Sequence, residues 1–219
     1  MNSEPVMTDL VARTSEAAQG ILRMFSPDGV VAGEVGVIDP GADPFADVQF
    51  PCVVAESAYV DGVSGTSVFV LGLQGARRLA AAMSGADPLT VEPVTDIDDD
   101  DLSAVGDAIG QVMAAAVLTV SDALGEQIST APPVLRRVAD RAELAAERDE
   151  SGHTLLAGFS FCGEPCLLAQ QLPSAFIVRM AHALDGAGGE EGGEASFSAG
   201  LRGVRVRMWA ELGRTRLPS

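Results

Sequence analysis

The sequence predicts an α+β fold made of two copies of one order: helix, three strands, helix. Three observations point to it. Residues 8–25 and 102–124 both space their apolar side chains at the helical interval. Each stretch is followed by short β-like runs bounded by turn residues. Each copy then closes on a short helix stopped by glycine: LGLQGARRLAAAMSGA runs out at Gly85, and QQLPSAFIVRMAHALDGA at Gly186. Two such copies make a duplication, since a solenoid needs at least three short repeats.

In the first copy, Leu10, Ala17, Ile21 and Phe25 recur at helical spacing, with Arg13, Glu16 and Arg23 elsewhere on the helix. Pro27 and Gly29 stop it. Residues 34–38, 52–60 and 67–73 read as strands, the last two joined by a hairpin turn at 61–65. Residues 75–83 form the closing helix. An acidic linker over 86–100 leads to the second copy, whose long helix carries the stripe Val105, Ile109, Val112, Ala116, Val120 and Leu124. A β-like run with Pro132 and Pro133 follows, then a polar excursion over 141–150. Residues 155–161 and 166–172 read as strands joined through Gly163, Glu164 and Pro165, and Pro173 opens a last helix to Leu184. The expected division is therefore a domain over 1–185, with halves at 1–86 and 97–185. A Gly/Glu-rich linker spans 186–196, and a tail over 197–219 resumes strand-like alternation at Val204, Val206 and Met208.

Composition narrows the function. The chain is 47% hydrophobic but only 5% aromatic, so its core is built from Ala, Val and Leu. Against 31 acidic residues stand 14 basic ones, a net charge of -17, which repels phosphate backbones and argues against a nucleic-acid partner. Every cation is arginine. Without lysine, neither a Walker-type phosphate loop nor a Schiff base can form. No run approaches the roughly 20 apolar residues of a membrane-spanning helix, and no cationic start precedes a long apolar stretch. Three cysteines, an odd count, fit a reducing cytoplasm.

Two metal readings fail on spacing. Asp96, Asp98, Asp100 and Asp107 fall at positions 1, 3, 5 and 12 of a calcium loop, but the glycine needed at position 6 is Asp101. Acidic residues at this place instead stabilise the positive end of the following helix. Cys162, Cys166, His153 and His182 lack the paired spacing of a zinc site. Neither a metal nor a cofactor is expected, and no motif supports a Ser-His-Asp set.

The stretch LSAVGDAIGQVMAAAVLTVSDALGEQISTAPP carries the chemistry. It resembles the signature helix of the CheC, CheX and FliY phosphatases and of the FliM middle domain. That signature is Asp or Ser, three residues, Glu, two residues, Asn, then twenty-two residues and Pro. Ser103, Asp107, Gly110 and Pro133 keep the spacing throughout. The resemblance implies a CheC-like fold. It also implies an acid that contacts the phosphorylated response regulator and an amide that positions the attacking water, since an amide both donates and accepts hydrogen bonds. Here the Glu is Asp107 and the Asn is Gly110, which has no side chain. Gln111 lies next door but points about 100 degrees away around the helix. The first half holds a fainter copy in Glu16 and Gln19, with Pro40 slightly short of the family spacing.

A second stretch, LRGVRVRMWAELGRTRLPS, resembles the opening of the FliN-type SpoA domain, in which a Val-rich strand leads into Glu-Leu-Gly-Arg-Thr. Glu211 to Thr215 match it, and several tens of residues normally follow where Ser219 stands. Together the two stretches resemble a flagellar motor switch protein of the FliN/FliY type with an incomplete SpoA segment. The resemblance implies a non-catalytic, oligomeric component of the cytoplasmic switch ring at the inner-membrane face of the flagellar basal body. FliM, FliG and phosphorylated CheY are the implied partners. The alternative is a phosphatase of phosphorylated CheY that uses Glu16 and Gln19, with Ser103, Asp107 and Gln111 as degenerate site residues. A type III secretion sorting-platform protein is a third reading, against which the CheC-like half argues.

Overall fold

The computed structural model describes residues 4–38, 41–60, 65–125, 127–145, 152–173 and 178. The expected turn at 61–64, most of the last helix, His182, the linker 186–196 and the SpoA-like tail 197–219 lie outside these residues.

Among the described residues the α-helices and strands follow in order: α1 (Glu4–Phe25), β1 (Val30–Ile38), β2 (Cys52–Ala58), β3 (Thr66–Gly72), α2 (Leu73–Met83), α3 (Asp99–Leu124), β4 (Val134–Val138), α4 (Arg141–Ala145), β5 (Gly152–Phe161) and β6 (Glu164–Pro173), with a 3-10 turn at Pro88–Thr90 between α2 and α3. The strands form one antiparallel sheet in the order β1-β5-β6-β3-β2-β4. Exchanging β1 with β4, β2 with β5 and β3 with β6 returns the same order read backwards. That palindrome is what a duplication produces, with β3 against β6 at its centre through Val68↔Ala169, Phe69↔Leu168 and Val70↔Leu167.

Alternation along the strands splits the sheet into two faces. Val53, Ala55, Phe69, Leu71 and Leu168 point to the helices, where α1 and α3 lie side by side and α2 packs on α3. Val54, Val68, Val70 and Ala169 point to the other face, covered by Phe45 and Leu144. Leu144 sits on α4, a short helix inside the stretch expected to be a polar excursion. Arg141 ties it to the β1–β2 connection through Asp43 and the carbonyls of Phe45 and Ala46.

The α3 stripe Val105, Ile109, Val112, Ala116 and Val120 is fully buried. By length and composition, Asp99–Asp122 of α3 would suffice to cross a bilayer, contrary to the sequence expectation. Its stripe is instead buried in the core against α1 and the sheet. The helix begins at Asp99, earlier than expected, because the Asp98 carboxylate caps it by accepting from the Asp101 amide at 2.8 Å. Asp100 is therefore helical, which removes the calcium loop.

Other expectations are corrected locally. The buried face of α1 is Met7, Leu10, Thr14, Ala18 and Leu22, while Ala17, Ile21 and Phe25 form its half-buried flank. Contact with both α3 and the sheet rotates the helix relative to the simple apolar stripe. The β5–β6 turn is Cys162-Gly163, with φ of 51° and 86°, so Glu164 and Pro165 already belong to β6. Two left-handed residues match the twist of the flanking strands, whereas a longer loop would not close this register. Leu73 begins α2 rather than ending β3.

Candidate functional site

The signature residues on α3 stand where the sequence places them. Ser103, Asp107 and Gln111 are exposed along one face. The Gln111 amide nitrogen reaches only the Asp107 carbonyl, at 3.5 Å. Gly110 lies at a seam. A Cβ there would meet the Pro133 ring at 3.6 and 3.7 Å, and one at Gly106 would meet Leu135 at 3.4 Å. The twenty-two-residue interval thus has a spatial meaning, because it returns the chain to the helix at Pro133.

The α1 residues occupy the matching positions. Asp107 and Gly110 each lie 91 residues after Glu16 and Gln19 (107 less 16, 110 less 19). The same offset pairs Ser15 with Gly106 and Leu22 with Met113. Glu16 is exposed, whereas Gln19 is only 5% exposed. The Gln19 amide nitrogen donates to the Ser15 hydroxyl at 2.9 Å, and its oxygen accepts from the Arg23 guanidinium at 2.9 Å. Spacing of four residues stacks Ser15, Gln19 and Arg23 into one ladder on the helix.

Beside that ladder runs the edge strand β1, whose pairing with β5 slips between Ala32 and Val35. Such a bulge bends an edge strand and leaves residues outside the regular ladder. Here it brings Gly33 close to the Gly158 carbonyl, where a Cβ would come within 2.8 Å. An open groove of about 310 Å³ results, lined by Ser15, Glu16, Gln19 and Arg23 from α1 and by Gly33 and Val35 from β1. The β4–β2 pairing at the opposite edge is regular.

The structure therefore separates the candidates into two places at opposite edges of the sheet. Glu16 and Gln19 face β1. Gly110 adjoins Pro133 at the start of β4, with Ser103, Asp107 and Gln111 on the solvent side. Sequence reasoning missed the role of Arg23 and the bulge. The i, i+4 run Ser15-Gln19-Arg23 was the signal for the first, and Gly33 within a strand for the second.

Two of the three cysteines are held as thiols by burial. Burial pushes the Cys166 thiol up to about 12 and the Cys52 thiol up to about 11, so neither is a thiolate near neutrality. Among the described residues no three His, Cys, Asp or Glu side chains gather to hold a metal.

No family model matches the chain, and no curated protein matches it in sequence. Solved structures do match in fold. FliY from Thermotoga maritima superposes with a TM-score of 0.64 at 20% identity, covering 84% of this chain and 96% of that one. The CheX–CheY–BeF3–Mg complex from Borrelia burgdorferi gives 0.55 at 16% identity, covering 76% and 99%. The FliM middle domain from H. pylori gives 0.53 at 10% identity, covering 82% and 94%. The chain has the CheC/CheX/FliY-type fold.

Proposed function

We propose that this chain is a non-catalytic component of the bacterial flagellar motor switch that takes part in setting rotation direction when phosphorylated CheY docks. The observation that carries the reading is the state of the two amide positions. Gly110 has no amide to offer, and the Gln19 amide is buried with both ends engaged. Orienting a water for attack needs a free, aligned donor or acceptor, and losing such a group costs orders of magnitude in rate. The shared fold with FliY and the FliM middle domain supports a place beside FliM and FliG at the cytoplasmic face of the basal body. On this reading residues 197–219 begin a FliN-type SpoA segment, and the full-length protein is oligomeric.

One observation favours the second reading, a phosphatase of phosphorylated CheY. The groove beside Glu16 and Gln19 is open to solvent. Complementation separates the two. Deletion of the gene is expected to abolish swimming or switching. A chain carrying both Glu16→Ala and Gln19→Ala is expected to restore swimming, the readout that does not depend on docking of phosphorylated CheY, with FliM recovered on copurification. Failure of that double variant at normal cellular abundance would favour the enzyme.

A further inference from the structure

Seven arginines lie among the described residues, and six of them face a carboxylate. Arg13 pairs with Asp9 at 2.9 Å, Arg77 with Asp101, and Arg78 with Glu164 at 3.0 Å. Arg136 lies 3.9 Å from Glu143, Arg137 3.2 Å from Asp99, and Arg141 3.1 Å from Asp43. Arg23 is the exception among them. Its partner is the neutral oxygen of Gln19. In a chain with 31 acidic residues and a net charge of -17, an arginine in no ion pair stands apart.

The surroundings of Arg23 aim it. Gln19 is buried and is itself fixed by Ser15, so it acts as a rigid strut for one guanidinium nitrogen. A guanidinium has five N–H donors, and holding one leaves the others pre-oriented at little entropic cost. Arg23 and the Ser15 hydroxyl both line the groove against the bulged strand. The Ser15 oxygen accepts from Gln19, which leaves its own proton to donate elsewhere. Planar, bidentate donation to oxyanions is what arginine does best.

We propose that Arg23 reads a phosphoryl group presented in the groove between α1 and β1, and that the first half thereby recognises phosphorylation without removing it. This rests on the reading that phosphorylated CheY docks without being hydrolysed. It assigns Gln19 a different task from water activation: the amide is a strut for the cation. Glu16 lines the same groove and opposes any anion, so free phosphate binds only weakly, with a Kd on the order of millimolar.

The test uses the full chain, labelled with nitrogen-15, and follows the Gln19 side-chain amide and the Arg23 Nε–H. Sodium phosphate is titrated against sodium chloride and sodium acetate at matched ionic strength. Both signals are expected to move saturably with phosphate alone, the Gln19 response to vanish in Arg23→Gln, and a weakened response to survive in Arg23→Lys. No phosphate-specific movement, an equal response to acetate, or an unchanged Gln19 response in Arg23→Gln overturns the proposal. A second arm measures binding of CheY from the same organism with and without beryllofluoride. Wild type is expected to prefer the activated form by about tenfold, and Arg23→Gln to lose that preference; an unchanged preference overturns the proposal. If phosphate binds but CheY does not in either form, the switch reading fails and the anion site stands. If CheY binds while the phosphate titration is flat, the switch reading stands and the anion site fails.

Discussion

The two halves of this molecule share a topology and differ at one seam. In the second half, Gly106 and Gly110 present bare backbone, and Leu135 and Pro133 seat directly on α3. In the first half, Ser15 and Gln19 fill the same positions, β1 is bulged, and a groove remains. Two glycines let a neighbouring segment close on a helix, while two mutually bonded polar side chains line a gap that stays open. The duplicated scaffold thus closes at one seam and stays open at the other according to the side chains it carries there. The half with polar side chains at these positions is the one with a cleft.

The largest effect that can test this comparison lies in the shared core. Leu22 and Met113 are equivalent by the 91-residue offset, and both are buried under the helix layer. Truncating either to alanine is expected to cost about 2–5 kcal/mol in urea unfolding. Similar costs at the two positions support a symmetric core. A cost below about 1 kcal/mol at one of them would place that helix outside the common cooperative unit.

An intermediate effect compares the two faces of the sheet through their thiols. Cys166 belongs to the helix-side core and Cys52 to the opposite cluster. Below pH 9.0, their ordinary value, both thiols stay protonated whether the chain is folded or not. Above it, the unfolded chain loses protons that the folded chain holds up to about 11 at Cys52 and about 12 at Cys166. Stability therefore falls as pH rises through that window, by about 1.4 kcal/mol per pH unit for each thiol at most. Urea midpoints between pH 8 and 10.5 check this. Cys166→Ala and Cys52→Ala are each expected to flatten the decline, and an unchanged decline in both would contradict it.

The smallest effect falls on the seam itself. Gly110→Ala adds a methyl at ordinary contact distance from Pro133 and removes a helix-interior glycine, so it is expected to stabilise by up to about 1 kcal/mol. The counterpart change, Gln19→Gly, is expected to destabilise by about 1–2 kcal/mol, through lost helix propensity and lost bonds to Ser15 and Arg23. Opposite signs at equivalent positions sharpen the comparison; the same sign at both would break it.

Much of the fold was legible because periodicity is a local property. The α3 stripe and the β2 and β3 runs follow directly from spacing, and the duplication follows from their order. What escaped depended on partners distant in sequence. The rotation of α1 onto Thr14 and Ala18 requires α3 beside it. The helix α4 is only five residues long, too short for a periodic signal, and Leu144 is buried on it. At the candidate site the spacing of Ser103, Asp107, Gly110 and Pro133 was readable, and so was the missing amide. That Gln19 is engaged at both ends was not, since it depends on rotamers and burial rather than residue type. The 23-residue return from Gly110 to Pro133 (133 less 110) acquires its meaning only in space.

On the proposed reading neither half hydrolyses an acyl phosphate. The most direct measurement is the rate of phosphate loss from CheY of the same organism, with wild type, Gln19→Ala and Gly110→Asn compared at equal concentration. The Gly110→Asn side chain starts at van der Waals distance from Pro133, so the variant is expected to fold. Wild type and Gln19→Ala are expected to leave the spontaneous rate unchanged, and any gain is expected in Gly110→Asn alone. Strong acceleration by wild type, abolished in Gln19→Ala, would contradict the account and make the first half an enzyme.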